Sequence, residues 1–109
     1  MIKIEVIMAE NDIGKVSEGL KKIGVGGVTA LKVKGRGKTL APSIHASKGT
    51  EMFTPEFSDK FVVWVFLPES KKDDAVNIIK DNSRIGKIFI TPVSYAIDLA
   101  TGVEDEKAI

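Results

Sequence analysis

The run Phe61-Val-Val-Trp-Val-Phe-Leu67 leaves this chain few folds to choose from. Its seven consecutive apolar residues are almost all β-branched or aromatic, and Pro68 stops them. A single core helix could also read as an unbroken apolar run, but helices need about ten or more residues and these side chains favour strand. A strand without a polar face belongs in the middle of a sheet, covered on both sides. The remaining segments must therefore supply neighbouring strands and a layer to cover them.

They do so with regular periods. In residues 2–8, Ile2, Ile4, Val6 and Met8 share one face while Lys3, Glu5 and Ile7 share the other, the period of two of a strand. Asn11 or Asp12 can cap a following helix whose apolar positions Ile13, Val16, Leu20 and Ile23 recur at spacings of three and four, ending at Gly24. Residues 28–38 suit a second strand that ends in Gly35-Arg36-Gly37-Lys38. From Thr39 to Asp59 no period is sustained, and a loop of about twenty residues in a small domain is more often functional than decorative. After Pro68, Ser70 and Asp73 resemble a capping box for a second helix with Ala75, Val76, Ile78 and Ile79 on its buried side, ending near Asn82. Lys87 to Val93 reads as the fourth strand.

The order β-α-β, long loop, β-α-β is that of a single α+β domain over residues 1–109, a ferredoxin-like βαββαβ sandwich. Two helices cover one face of a four-stranded sheet and leave the other bare. Apolar side chains such as Trp64 or Phe66 on a bare face make it an association surface, so an oligomer is expected.

Charge and residue inventory narrow the function. Sixteen basic against fifteen acidic residues leave no global field to draw the chain to nucleic acid or anionic lipid. The alternating N-terminus lacks the apolar stretch of a signal peptide or membrane span, and with no cysteine a cytoplasmic location is expected. One histidine, no cysteine and no paired carboxylates offer little for catalysis, so an enzyme is not expected.

Several segments, in order, resemble the PII signal-transduction family, the nitrogen regulatory protein P-II. They are Met1-Ile-Lys-Ile-Glu5, the glycine-rich turn Ile23-Gly-Val-Gly-Gly-Val-Thr29, the strand end Lys32-Val-Lys-Gly-Arg-Gly-Lys38, the segment Ile85-Gly86-Lys87-Ile88-Phe89-Ile90, and Thr101-Gly102 followed by an acidic run and Ala108-Ile109. The resemblance implies a homotrimer whose inter-subunit clefts bind ATP or ADP, with AMP as a further option. It also implies a T-loop, about residues 39–59, that docks on a target such as an ammonium transporter or a nitrogen-metabolism enzyme. The B-loop is expected at about 83–87 and a C-terminal segment at about 94–109. The residues it assigns to nucleotide are Gly27, Val28 and Thr29; Gly35, Arg36, Gly37 and Lys38; Val63 and Trp64; and Ile85, Gly86 and Lys87. Glycines let backbone approach phosphates, and Lys38 and Lys87 supply positive charge.

The chain departs from the family pattern at defined places. Arg84-Ile85-Gly86 runs directly into Lys87, so the B-loop is shortened. Two arginines that reach the phosphates in the family map to Asp98 and Ala100, where an aspartate replaces a bidentate donor. Thr39 stands for a glutamine that helps hold magnesium and 2-oxoglutarate, and Ser58 for a lysine, which weakens the implication for those two ligands. Glu51 and Gly49 replace a tyrosine and a serine that relatives modify. These departures keep a second reading open: a PII-like trimer that has lost ATP and 2-oxoglutarate sensing and answers another small anion, or serves as a scaffold. Each residue also has a plainer role: Gly35-Arg-Gly as a tight strand end, Lys38, Lys87 and His45 as solvated side chains, Trp64 as core or interface, and residues 104–106 as a solvated tail.

Overall fold

The alternation of residues 2–8 is realised in β1 (Ile2–Met8), where Ile2, Ile4, Val6 and Met8 are buried and the residues between them are not. The computed structural model describes residues 1–38, 44–45, 52–53 and 56–109, with only the backbone at the four residues of the two short internal segments. Besides β1, its elements are α1 (Ile13–Lys22), β2 (Thr29–Gly35), β3 (Ile44–His45), β4 (Met52–Phe53), β5 (Ser58–Leu67), α2 (Lys72–Asn82) and β6 (Lys87–Pro92).

The main sheet is fully antiparallel in the order β2-β5-β1-β6. Its inner strand β5 places Thr29 opposite Trp64 on one side and Glu5 opposite Trp64 on the other. The two helices pack on one face, where Val16 and Leu20 of α1 and Ala75 and Ile79 of α2 meet Ile4, Val6, Val63, Val65 and Leu67. Full burial of a side chain such as Leu20 contributes roughly 1.5–3 kcal/mol. Gly19 brings the helices close, since a Cβ there would lie 2.6 Å from Ile78 Cγ2.

Four expectations change. The seven-residue apolar run is the inner strand, but among the described residues only one of its faces is covered: Val63, Val65 and Leu67 are buried while Phe66 is 42% exposed, because no described element lies on that side. β5 also starts at Ser58, inside the expected loop. That loop is not wholly irregular, as β3 and β4 pair antiparallel with Ile44 opposite Phe53 and His45 opposite Met52. Thr39, Ser43, Ser47, Gly49 and Glu51 lie outside the described residues.

Neither helix is capped as expected. Ala9 leads into a 3-10 turn at Glu10–Asp12, and neither it nor α1 has a side-chain cap; Asp12 instead accepts a hydrogen bond from Ser83 Oγ (3.1 Å), tying the start of α1 to the end of α2. Pro68 likewise opens a 3-10 turn at Glu69–Lys71 with Lys71 N donating to Pro68 O, so Ser70 lies within that turn and no capping box forms. At its C-terminus α1 behaves as expected. Val25 N donates to Leu20 O (3.0 Å) and Gly24 N to Lys21 O (3.1 Å), with Gly24 at φ +81°, the Schellman arrangement that glycine accommodates.

Candidate functional site

The Schellman turn delivers the glycine-rich segment to one end of the sheet. Residues 24–27, Thr29, Trp64, Phe66, Pro68 and Lys71 line a cavity of about 330 Å³, closed on one side by Ala108 and Ile109. Lys71 Nζ donates to Gly24 O at 3.3 Å. Trp64 and Phe66 face this cavity because they occupy the bare side of β5. Val63, one residue away, points into the core and is 1% exposed, so only its backbone is available to a ligand. Val28 is partly buried against the core.

Gly35, Arg36, Gly37 and Lys38 lie at the other end of β2. Six residues of strand separate Gly35 from Thr29, about 20 Å at the usual rise per residue. Here β2 is tied to the start of β5 by ion pairs: Lys34 and Lys32 to Asp59 (2.6 and 3.4 Å) and Arg36 to Glu56 (2.6 Å). The Lys34 ammonium holds the Asp59 carboxyl below its ordinary value of 3.8, with Lys32 acting in the same sense and partial desolvation against it. These pairs are exposed and each contributes little to stability, but together they set the base of the loop. Lys60 lies across Gly35, where a Cβ would meet its Cδ at 3.1 Å. Sequence reading singled out neither Glu56 nor Asp59; the alternation of Lys32, Lys34 and Arg36 against these two acidic residues was the available signal.

Ile85, Gly86 and Lys87 reach this same end from the far edge. Gly86 has φ +122°, and a Cβ on it would fall 1.6 Å from the Ile7 carbonyl oxygen, so the turn passes directly over the end of β1. Beneath it is a cavity of about 260 Å³ lined by Ile79, Lys80, Ser83, Arg84 and residues 85–88 against Val6 and Ile7. Three cationic residues, Lys80, Arg84 and Lys87, thus border one pocket. A smaller recess of about 120 Å³ joins Ile85 and Gly86 to Asp59 and Lys60. Gly35, Lys60 and residues 85–87 therefore share one end of the sheet, while Gly27, Thr29 and Trp64 share the other. Lys60, two residues on from Ser58, thereby lies beside the Gly86 turn.

The C-terminal segment is more ordered than a solvated tail. The Asp98 carboxylate accepts hydrogen bonds from Ala100 N (2.8 Å) and Thr101 N (3.2 Å), and Gly102, at φ +74°, closes the turn with its N–H on Asp98 O. Ile97 bridges to Glu104, and Tyr95 Oη donates to Glu104 (3.1 Å), which raises the Tyr95 pKa above its usual value of 10.0. Asp98 is thus engaged by its own turn, whose tip, Leu99, is fully solvent-exposed. Among the described residues no cluster of three or more His, Cys, Asp or Glu could hold a metal ion, and no helix is long and apolar enough to cross a membrane.

Comparison with known proteins gives agreement over the whole chain. The family model for nitrogen regulatory protein P-II matches residues 1–103. A nitrogen regulatory protein P-II homolog of Arabidopsis thaliana is 33% identical over 111 residues, 97% of this chain and 56% of that protein, so the chain spans about half the length of this plant relative. The nitrogen regulatory protein P-II of Cereibacter sphaeroides is 34% identical over 114 residues, covering all of both chains. The solved structure of GlnK from B. subtilis superposes with a TM-score of 0.77 at 23% identity, over 99% of this chain and 97% of that one, a likeness of fold.

Proposed function

The chain belongs to the nitrogen regulatory protein P-II family, signalling regulators rather than enzymes, and from that premise we propose that it binds an adenine nucleotide between the subunits of a homotrimer. Bound ATP or ADP would set the conformation of residues 39–59, which contact a target protein such as a transporter or a nitrogen-metabolism enzyme.

The observation that carries this reading is the division of the site residues between opposite ends of one sheet. The aromatic cavity at Thr29, Trp64 and Phe66 offers a flat apolar wall and backbone groups suited to a base. The pocket at Lys80, Arg84 and Lys87 offers positive charge and glycine backbone suited to phosphates. With about 20 Å between the ends, one chain cannot close both halves on one nucleotide, whereas a neighbouring copy can bring its aromatic half to the first copy's cationic half. The bare sheet face supplies a surface for that neighbour.

A second reading is favoured by the C-terminal turn. Asp98 and Ala100 stand where the family resemblance places arginines, and the Asp98 carboxylate is spent on the turn. A trimer lacking those donors would answer another small anion, or act as a scaffold, without sensing ATP or 2-oxoglutarate. Calorimetric titration with ATP, ADP, AMP and 2-oxoglutarate, against Lys87→Ala, separates the two. Adenine-nucleotide binding that the variant loses supports the first reading; no heat from any of the four ligands overturns it and leaves the second.

A further inference from the structure

The bare face of the sheet has a charged pair at its centre with apolar residues around it, and carries Lys60 and Lys87 toward the end of the Gly86 turn. The strand registers place Thr29, Trp64, Glu5 and Phe89 in one row, with Lys3 and Phe66 beside it. Leu31, Phe66 and Phe89 are each about two-fifths exposed, an extent of apolar surface that water-soluble chains usually cover. Within it, Trp64 Nε1 donates to Glu5 Oε2 at 2.6 Å, Lys3 Nζ lies 3.8 Å from the same oxygen, and Lys3 Nζ sits 4.4 Å from the centroid of the Trp64 ring.

These three contacts fix the orientation of the indole but leave the charges half used. Among the described residues, Glu5 Oε1 takes no hydrogen bond and Lys3 retains donors. Covering the face with an apolar partner would strand a carboxylate oxygen and an ammonium, which is costly. A second copy of this chain instead carries an ammonium and a carboxylate at the same spacing. Around a symmetry axis, Lys3 of each copy can meet Glu5 of the next, so the ring closes with both of these central charges paired.

Resting on the self-assembly in the proposed function, we propose that Lys3 and Glu5 set the register of the homo-oligomer. Each Lys3 ammonium pairs with the Glu5 carboxylate of the adjacent copy, and Trp64, clamped by both, is the aromatic anchor of the interface. The pair decides which copies fit and at what rotation, while the surrounding apolar residues supply most of the affinity.

The test reverses the two charges singly and together. Full-length Glu5→Lys and Lys3→Glu are examined by analytical ultracentrifugation and native mass spectrometry, with far-UV circular dichroism to establish folding. Each variant alone should dissociate at a concentration about 100-fold or more above that of the wild type, as like charges replace opposite ones in the interface. The double variant Lys3→Glu/Glu5→Lys, whose copies again present opposite charges at every seam of the ring, should assemble at close to the wild-type concentration. Single variants that assemble as tightly as the wild type would overturn the proposal. So would a folded double variant that dissociates as readily as the single ones, since opposite charges between copies would then not set the fit. A wild type that is monomeric at every concentration would instead remove the self-assembly reading, and this proposal with it.

Discussion

Replacing Gly86 by alanine should destabilise the protein far more than the same change at Gly102, although both glycines have positive φ. At Gly86 the added Cβ would stand 1.6 Å from the Ile7 carbonyl oxygen, whereas real Cβ contacts stay beyond 3.0 Å. The turn and the end of β1 would have to part by more than about an ångström, and neither side of the clash is a side chain that can rotate away. The backbone at φ +122° costs a further ~1–3 kcal/mol for a residue with a Cβ. The parting would also break the pairing of Ile7 with Lys87 at the start of β6, removing a hydrogen bond of about 1 kcal/mol. The combined loss is about 2–4 kcal/mol. At Gly102, φ is +74° and nothing lies within 4 Å of the added atom, so the cost is only the left-handed backbone, about 1 kcal/mol. Guanidinium unfolding of both variants at one fixed protein concentration measures the difference and avoids the concentration dependence that assembly adds. If Gly86→Ala is no less stable than Gly102→Ala, the close passage of this turn over β1 is not what demands glycine, and the reasoning fails.

Leu20→Ala opens a cavity beneath the sheet and should cost about 2–5 kcal/mol in the same assay. At the C-terminal turn, Asp98→Ala removes the acceptor of two backbone N–H groups and should cost about 1 kcal/mol, whereas Asp98→Asn keeps an acceptor and should lose clearly less; equal losses would mean that the carboxylate acts by its charge alone. The pH dependence of stability has two expected edges. Because the folded-state pKa of Asp59 is lowered, its contribution is present above 3.8 and fades as pH falls through the depressed value, so Asp59→Asn should flatten the acid end of the unfolding profile. Because that of Tyr95 is raised, its contribution is present below 10.0 and fades as pH rises through the elevated value, so Tyr95→Phe should flatten the alkaline end.

Much of the scaffold could be read from periodicity. Ile2, Ile4, Val6 and Met8, and Val16 with Leu20, are core positions that their spacing alone identifies. The caps could not be read, because Ala9 and Pro68 route the chain through 3-10 turns whose backbone bonds occupy the helix starts, leaving Asp12 and Ser70 to other roles. Asp98 could have been read as a turn residue from Asp98-Leu-Ala-Thr-Gly102, but the resemblance drew attention to the charge that aspartate places there instead. The site was legible as a set of residues and not as an arrangement. Val63 and Trp64 are adjacent in sequence yet face opposite sides of the sheet, and Lys60 joins the Gly86 turn only through the register of three strands. Register is a tertiary quantity, so no local pattern carries it.

The sheet order also governs how the chain comes to be folded. β1 is made well before its partners β5 and β6, with Ile2 opposite Leu67 on one side and Pro92 on the other. A strand emerging from the ribosome with an apolar face and both edges open must wait for most of the chain before either edge is satisfied. Such pairings between distant segments slow folding, because the intervening chain must be closed into loops before any contact compensates for the lost entropy. Until β5 and β6 arrive, β1 keeps both of its edges open to mispairing, so the order of the sheet places that hazard on the strand that waits longest for its partners.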